Sequence, residues 1–164
     1  FGLRANGVMG LQLDDIKTNS FSYTAIGVSR SRYININKVH SDMSRVNAGA
    51  GTNYCISIGN SQDATTTNSF LKSVRHGMSH GGGADIGSVI TRNSKVSNCS
   101  VLCTTTVGAV DIHGCCENVV YDNNYIDGGC TLGGHRCSYI NKKLYRRFCY
   151  KDSRTTKHGA HRKR

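Results

Sequence analysis

Proline and tryptophan are absent from all 164 residues, and long Leu- or Ala-rich stretches are missing as well. Glycine, by contrast, occurs 19 times, and Asn, Ser and Thr fill much of the remainder. These are mediocre helix residues, so the mixture excludes a helical bundle and suits many short strands joined by many turns. No apolar run reaches the roughly 20 residues that cross a bilayer, and membrane insertion is not expected. The chain opens Phe1-Gly2-Leu3-Arg4 without an initiator Met or the charged and apolar regions of a secretory signal. That opening reads as a cut from a longer polypeptide.

Acidic residues are scarce in one place only. Residues 1–135 hold 10 Lys/Arg against 9 Asp/Glu, whereas residues 136–164 hold 11 Lys/Arg against the single acid Asp152. The net charge of +11 is therefore a property of the C-terminal segment, and a nucleic-acid partner would have to bind there. Cysteine is scarce in the first half, where Cys55 stands alone, while the other seven fall between Cys99 and Cys149. That distribution favours free, buried thiols, with disulfides as the alternative.

What is present is strand periodicity. The runs Gln12–Ile16, Tyr23–Ser29 and Arg32–Val39 alternate apolar and polar residues over four to six positions. Apolar positions recur at Ile16 and Ile36, Ile34 and Ile56, Val96 and Val119, Val120 and Ile140, spacings of 20, 22, 23 and 20 residues. Asn or another turn-former often follows them. A loose period of this length, carried by strands alone, is that of a parallel β-helix with coils of roughly 20–24 residues. A β-sandwich is the alternative. It would show hairpin dipeptides every 8–12 residues or so, and Asn6-Gly7 and Asp127-Gly128 flank no convincing strand pair. The expected division is a β-helix domain over residues 1–141 and a basic cap or disordered tail over residues 142–164.

The period breaks between Arg75 and Val89, at His76-Gly-Met-Ser-His80-Gly-Gly-Gly-Ala-Asp85. No phosphate-binding glycine motif is present, so this stretch reads as a loop protruding from a coil bend. His76 and His113 lie 37 residues apart, and Arg75 and Asp111 lie 36 apart. One coil plus a long loop would place the two clusters side by side. Strand geometry would point Asp111 and His113 to one side. An acid, two histidines and an arginine on one groove could exchange protons and hold an anionic substrate, although a satisfied polar cluster at a bend fits the same pattern. Cys99, Cys103, His113, Cys115, Cys116, Cys130, His135 and Cys137 are zinc-type ligands, yet they form no paired Cys-x2-Cys knuckles, and neither metal nor other cofactor is expected.

Val74-Arg75-His76-Gly77-Met78-Ser79-His80, Lys95-Val96-Ser97-Asn98-Cys99, and Ala109-Val110-Asp111-Ile112-His113-Gly114 with Glu117-Asn118-Val119 carry a resemblance that covers roughly residues 9–141, most specific at Arg75-His76 and at Asp111-x-His113-Gly114 followed by Glu117-Asn118-Val119. The chain resembles the pectate-lyase-like β-helix of bacteriophage tailspike and tail-appendage proteins. The resemblance implies an all-β, right-handed parallel β-helix that recognises a bacterial surface polysaccharide or teichoic acid, in the virion tail, assembled in the host cytoplasm. It implies a homotrimer for the full-length protein. Enzymatic action is left open, leaning to a hydrolase or lyase, with a non-catalytic adhesin or structural shaft as the alternative and nucleic-acid binding as the weaker third. On the enzymatic reading His76, Asp111 and His113 are catalytic, and Arg75, His80, Asp85 and Glu117 bind substrate.

Overall fold

The computed structural model describes residues 1–45, 52–81, 90–105, 107–140, 143–144 and 149–150. Every element is a strand, and each coil contributes three. The first coil holds β1 (Leu3–Asn6), β2 (Gln12–Asp14) and β3 (Lys17–Asn19), and the second β4 (Thr24–Ser29), β5 (Arg32–Asn37) and β6 (His40–Met43). The third holds β7 (Tyr54–Gly59), β8 (Gln62–Thr67) and β9 (Phe70–Ser73). The fourth holds β10 (His76–Gly81), β11 (Thr91–Ser97) and β12 (Ser100–Cys103). The fifth holds β13 (Val110–Ile112), β14 (Cys116–Asp122) and β15 (Tyr125–Asp127). The last strands are β16 (Cys130–Leu132), β17 (Ser138–Ile140), β18 (Lys143–Leu144) and β19 (Cys149–Tyr150).

Each strand pairs in parallel with its counterpart one coil away. Three sheets result: β1-β4-β7-β10-β13-β16-β19, β2-β5-β8-β11-β14-β17 and β3-β6-β9-β12-β15-β18. This is a parallel β-helix. The inward columns are what the alternation of the sequence encodes. Ile26, Ile56, Met78, Val110 and Cys130 stack on the first sheet, and Leu13, Ile36, Thr66, Val96, Tyr121 and Tyr139 on the second. Ile26, Ile56, Met78 and Val110 are all 0 % exposed. Burial of each such side chain is worth about 1.5–3 kcal/mol.

Corners are set by left-handed backbone. Gly10, Tyr33, Asp63, Asn93, Asn118 and Arg136 all have positive φ, as do Asp15, Lys38, Asn68, Asn98 and Asn123. The position costs most L-residues about 1–2 kcal/mol and Asn least, because its short amide bonds locally. Here the amides bond across coils. Asn118 Nδ2 donates to Asn93 Oδ1 at 3.1 Å, Asn93 Nδ2 to Asp63 Oδ1 at 3.1 Å, and Asn123 Nδ2 to Asn98 Oδ1 at 2.8 Å.

The register differs in detail from the sequence spacings. Ile34 pairs with Ala64 and Ile56 with Ile26, so their separation does not mark a stack. Coils advance by 23 residues from Leu3 to Ile26 and by 22 from Tyr54 to His76, but by 30 from Thr24 to Tyr54 and 32 from Met78 to Val110. The long steps carry extra residues between β6 and β7 and between β10 and β11.

Two further expectations meet the structure here. The stretch from His76 to Gly81 is a strand inside the first sheet, paired with β7 and β13, and not the start of a protruding loop. Pairing also continues past residue 141, with β18 against β15 and β19 against β16. Residues 151–164, which carry much of the basic segment, lie outside the described residues. Cys55, Cys99, Cys103, Cys115, Cys116, Cys130 and Cys137 are free thiols, and four of these seven are buried. Burial pushes the Cys55 thiol up to about 12 and Cys99 to about 11, which leaves both unreactive near neutral pH.

Candidate functional site

The outward residues of the first sheet bring the two polar clusters together. β10 pairs with β13, Ser79 opposite Asp111 and His80 opposite Ile112. The clusters therefore sit on neighbouring coils. Val110 and Ile112 are buried in the core, so Asp111 between them points outward. His113 Nε2 lies 2.9 Å from Asp111 Oδ2, and His76 Nε2 lies 3.6 Å from the same oxygen. Their exposures differ sharply: the His113 side chain is 53 % exposed, Asp111 13 % and His76 4 %.

His76 is fixed on three sides. Its Nδ1 is 2.7 Å from the Gly108 carbonyl, which can only accept, so this nitrogen carries the proton. Its ring stacks on Tyr54 at 5.5 Å and 20°. The Arg75 guanidinium lies 5.8 Å from the centre of the same Tyr54 ring. Arg75 Nε is buried without a hydrogen-bond partner. Gly81 lies beneath His113, where a Cβ would come within 3.4 Å of the His113 ring.

The electrostatics follow from this packing. Burial is the main influence on His76 and holds its pKa below the ordinary imidazole value, against the pull of Asp111 and Gly108. The hydrogen bond to Asp111 raises His113, and burial only partly offsets it. Burial acts to raise the Asp111 carboxyl, but His113, His76 and Arg75 together bring it below the usual carboxylate range. Near neutral pH the group is thus an ionised Asp111, a neutral His76 and an exposed His113 made more basic by its bond to Asp111.

Not every candidate joins this group. His80 faces the core at 0 % exposure, with Nδ1 3.0 Å from the Tyr121 hydroxyl, and burial lowers its pKa to about 3. It is separated from the outward face by its own strand. Glu117 is on β14 of the second sheet, 3.9 Å from Arg92, and also stands apart. Asp85 lies outside the described residues. Tyr54 escaped the sequence reading although it precedes His76 by 22 residues, one plain coil, and pairs with it directly. No group of three or more His, Cys, Asp or Glu side chains suited to a metal occurs among the described residues.

Residues 19–158 match the model of the Gp49 pectin lyase-like family. The chain belongs to this family. Among solved structures, the Gp49-like fold is similar to the tailspike protein gp49 from Pseudomonas phage LKA1, with a TM-score of 0.74 and 26 % identity over 85 % of this chain and 23 % of that one. It is similar to the tailspike gp61 of Pseudomonas phage phi297, with a TM-score of 0.68 and 25 % identity over 80 % of this chain and 23 % of that one. The Gp54 tailspike of Acinetobacter baumannii bacteriophage AP22, solved in complex with A. baumannii capsular saccharide, matches with a TM-score of 0.62 and 25 % identity, over 76 % of this chain and 21 % of that one. The chain thus spans about a quarter of the length of these tailspikes. No curated protein matches it.

Proposed function

We propose that this chain is the section of a phage tailspike that binds an acidic bacterial surface glycan, capsular or lipopolysaccharide in type or a teichoic acid, and cleaves it at Asp111 and His113. The carrying observation is the outward Asp111 oxygen at 2.9 Å from an exposed histidine and 3.6 Å from a buried one. His113 donates from Nε2 to Asp111, which leaves Nδ1 to take a proton from the substrate. Ionised Asp111 orients the ring and stabilises the imidazolium that forms. His76, held neutral by burial with its Nδ1 proton on the Gly108 carbonyl, packs behind Asp111. Arg75 offers a guanidinium to a carboxylate or phosphate on the glycan.

On a uronate-bearing glycan this geometry favours elimination over two-carboxylate hydrolysis. Glycoside hydrolysis commonly needs a pair of carboxyl groups roughly 5–9.5 Å apart. Asp111 is the one described carboxylate in this cluster. Elimination needs a base for the proton beside a uronate carboxyl, a cation for that carboxyl, and departure of the glycosidic oxygen with a proton. His113 takes that proton and Arg75 holds the carboxyl, and the imidazolium of His113 then returns the proton to the departing oxygen as the double bond forms.

The spike of which this chain is a section is read as a homotrimeric component of the virion tail, assembled in the host cytoplasm. A non-catalytic shaft is the second reading, favoured by the 23 % share of the neighbouring tailspikes that the chain spans, since cleaving residues can lie in the rest of such a spike. Incubation with purified acidic capsules, O-chains and teichoic acids separates the two. Shortened chains bearing a new conjugated double bond support elimination. Shortening without the double bond replaces it with hydrolysis, and binding without shortening leaves the adhesin.

A further inference from the structure

A second feature lies on the same outward face, toward the first coil. It is a cleft of about 210 Å³ whose lining includes Arg4, Tyr23, Gly27, Tyr54, Ser57 and Gly59. One wall is aromatic. Tyr23 is 43 % exposed, and its ring centre is 4.7 Å from that of Phe1, which also lines the cleft. The Arg4 guanidinium stands 5.2 Å from the Phe1 ring centre. The floor includes Ser57, outward between the buried Ile56 and Ile58, while the Phe1 ring is seated on Gly27, where a Cβ would come within 3.0 Å of it.

The cleft is in register with the Asp111 cluster. Arg4 pairs with Gly27, Gly27 with Ser57, Ser57 with Ser79 and Ser79 with Asp111. Three strand spacings therefore separate Gly27 from Asp111, about 14 Å. Tyr54 belongs to both places, since it lines the cleft and stacks on His76.

We propose that this cleft is a second sugar subsite, which takes one ring of the same acidic glycan on the Tyr23 face with its carboxylate or phosphate toward Arg4. The proposal rests on the glycan reading above. Aromatic walls with a few placed polar groups are what a pocket for a sugar ring needs, apolar C–H faces against rings and an acidic group against a guanidinium. It also sets a direction. The glycan runs along the solenoid axis, from Arg4 past Ser57 and Tyr54 to Arg75. Binding at the remote ring holds the reacting ring in place, so affinity rises with chain length until both subsites are filled.

The test measures binding of size-fractionated oligosaccharides from acidic Pseudomonas and Acinetobacter capsules and O-chains to the full chain. It uses Asp111→Asn so that cleavage does not intervene, and compares it with added Tyr23→Ala or Gly59→Leu. A Cβ at Gly59 would meet nothing closer than the Gly81 carbonyl oxygen at 3.5 Å, so leucine fits the strand while filling the cleft. The expected result is affinity that climbs with length in the parent and drops about tenfold for the long chains in each added variant, with short chains bound equally by all three. Circular dichroism and unfolding midpoints confirm that each variant is folded. Equal length dependence in all three overturns the subsite, even where the wild-type chain cleaves glycan. Length-dependent binding by a wild-type chain that never cleaves keeps the subsite and removes the acid/base role. Absence of binding by any member of the panel overturns both.

Discussion

The outward faces of the second and first sheets are built on the same coils to different ends. On the second sheet nearly every outward polar group is spent on its neighbour. Asn35 Nδ2 donates to Gln12 at 3.0 Å, Asn37 Nδ2 to Asp14 at 2.6 Å and Thr67 Oγ1 to Asn37 at 2.9 Å, while Arg32 holds Asp63 at 2.9 Å and Lys95 lies 3.4 Å from Asp122. On the first sheet the outward residues include Arg4, the small Gly27, Ser57 and Ser79, and the group of Arg75, His76, Asp111 and His113. One face locks the coils together, and the other leaves polar chemistry facing solvent. The contrast teaches that a solenoid can separate stability from chemistry by face, because a residue's counterpart one coil away decides whether it has a partner.

The largest effect that would break this contrast is on the first sheet. Asp111→Asn should lower glycan cleavage by about 10²–10⁴-fold, the usual worth of a proton-transfer group, with a modest drop in the unfolding midpoint as the carboxylate's pairing with His113 is lost. Chain-length analysis of the product, beside a denaturation curve, checks both halves. The core common to both faces responds in the opposite way. Ile56→Ala removes a fully buried side chain stacked between Ile26 and Met78, and should cost about 2–5 kcal/mol in urea unfolding.

Acid stability gives the next effect. His80 is buried and its pKa falls to about 3 in the folded chain, below its unfolded value. The unfolded state therefore binds the extra proton first as pH falls, and this side chain removes about 1.4 kcal/mol of stability per pH unit from about pH 6.5 down toward its folded pKa. His80→Gln should move the acid unfolding midpoint to lower pH; an unchanged midpoint would show that His80 is not the group responsible. His113 acts with the other sign. Its raised pKa adds stability below the ordinary histidine range that is lost as pH rises through the folded value. Asp111, whose pKa is lowered, adds stability above the ordinary carboxylate range that is lost as pH falls through the folded value.

The smallest effect sharpens the comparison most finely. Asn93→Ala, in the ladder of the second sheet at φ 53°, should cost about 1–2 kcal/mol. Ser57→Ala, on the outward face of the first, should stay within about 0.5 kcal/mol. Equal costs at the two positions would erase the division between the faces.

Much of this scaffold was legible because the coils repeat two simple devices, inward Ile or Val and a left-handed Asn at the corner. The register was not legible, because the residues inserted after Met43 and after Gly81 lengthen two coils without altering the alternation on either side. Asp111 and His113 could be read as a pair since a strand puts them two positions apart. Tyr54 could have been found by stepping one coil back from His76. His80 could not be placed by alternation. Gly77 turns inward, where a Cβ would meet Val101 at 2.6 Å, and so Met78 and His80 face the core while His76 stays with Asp111. The functional reading depends on contacts between coils, and no single stretch of sequence displays them.

The central claim is that two histidines beside one outward carboxylate are held in opposite states, His113 by its bond to Asp111 and His76 by burial, and the most direct measurement is the titration of the His76 and His113 rings by NMR, each assigned by its absence in a single-residue variant. The account predicts two separate midpoints, His113 above the ordinary imidazole value and His76 below it. A shared midpoint at that ordinary value, or the reverse order, would contradict it.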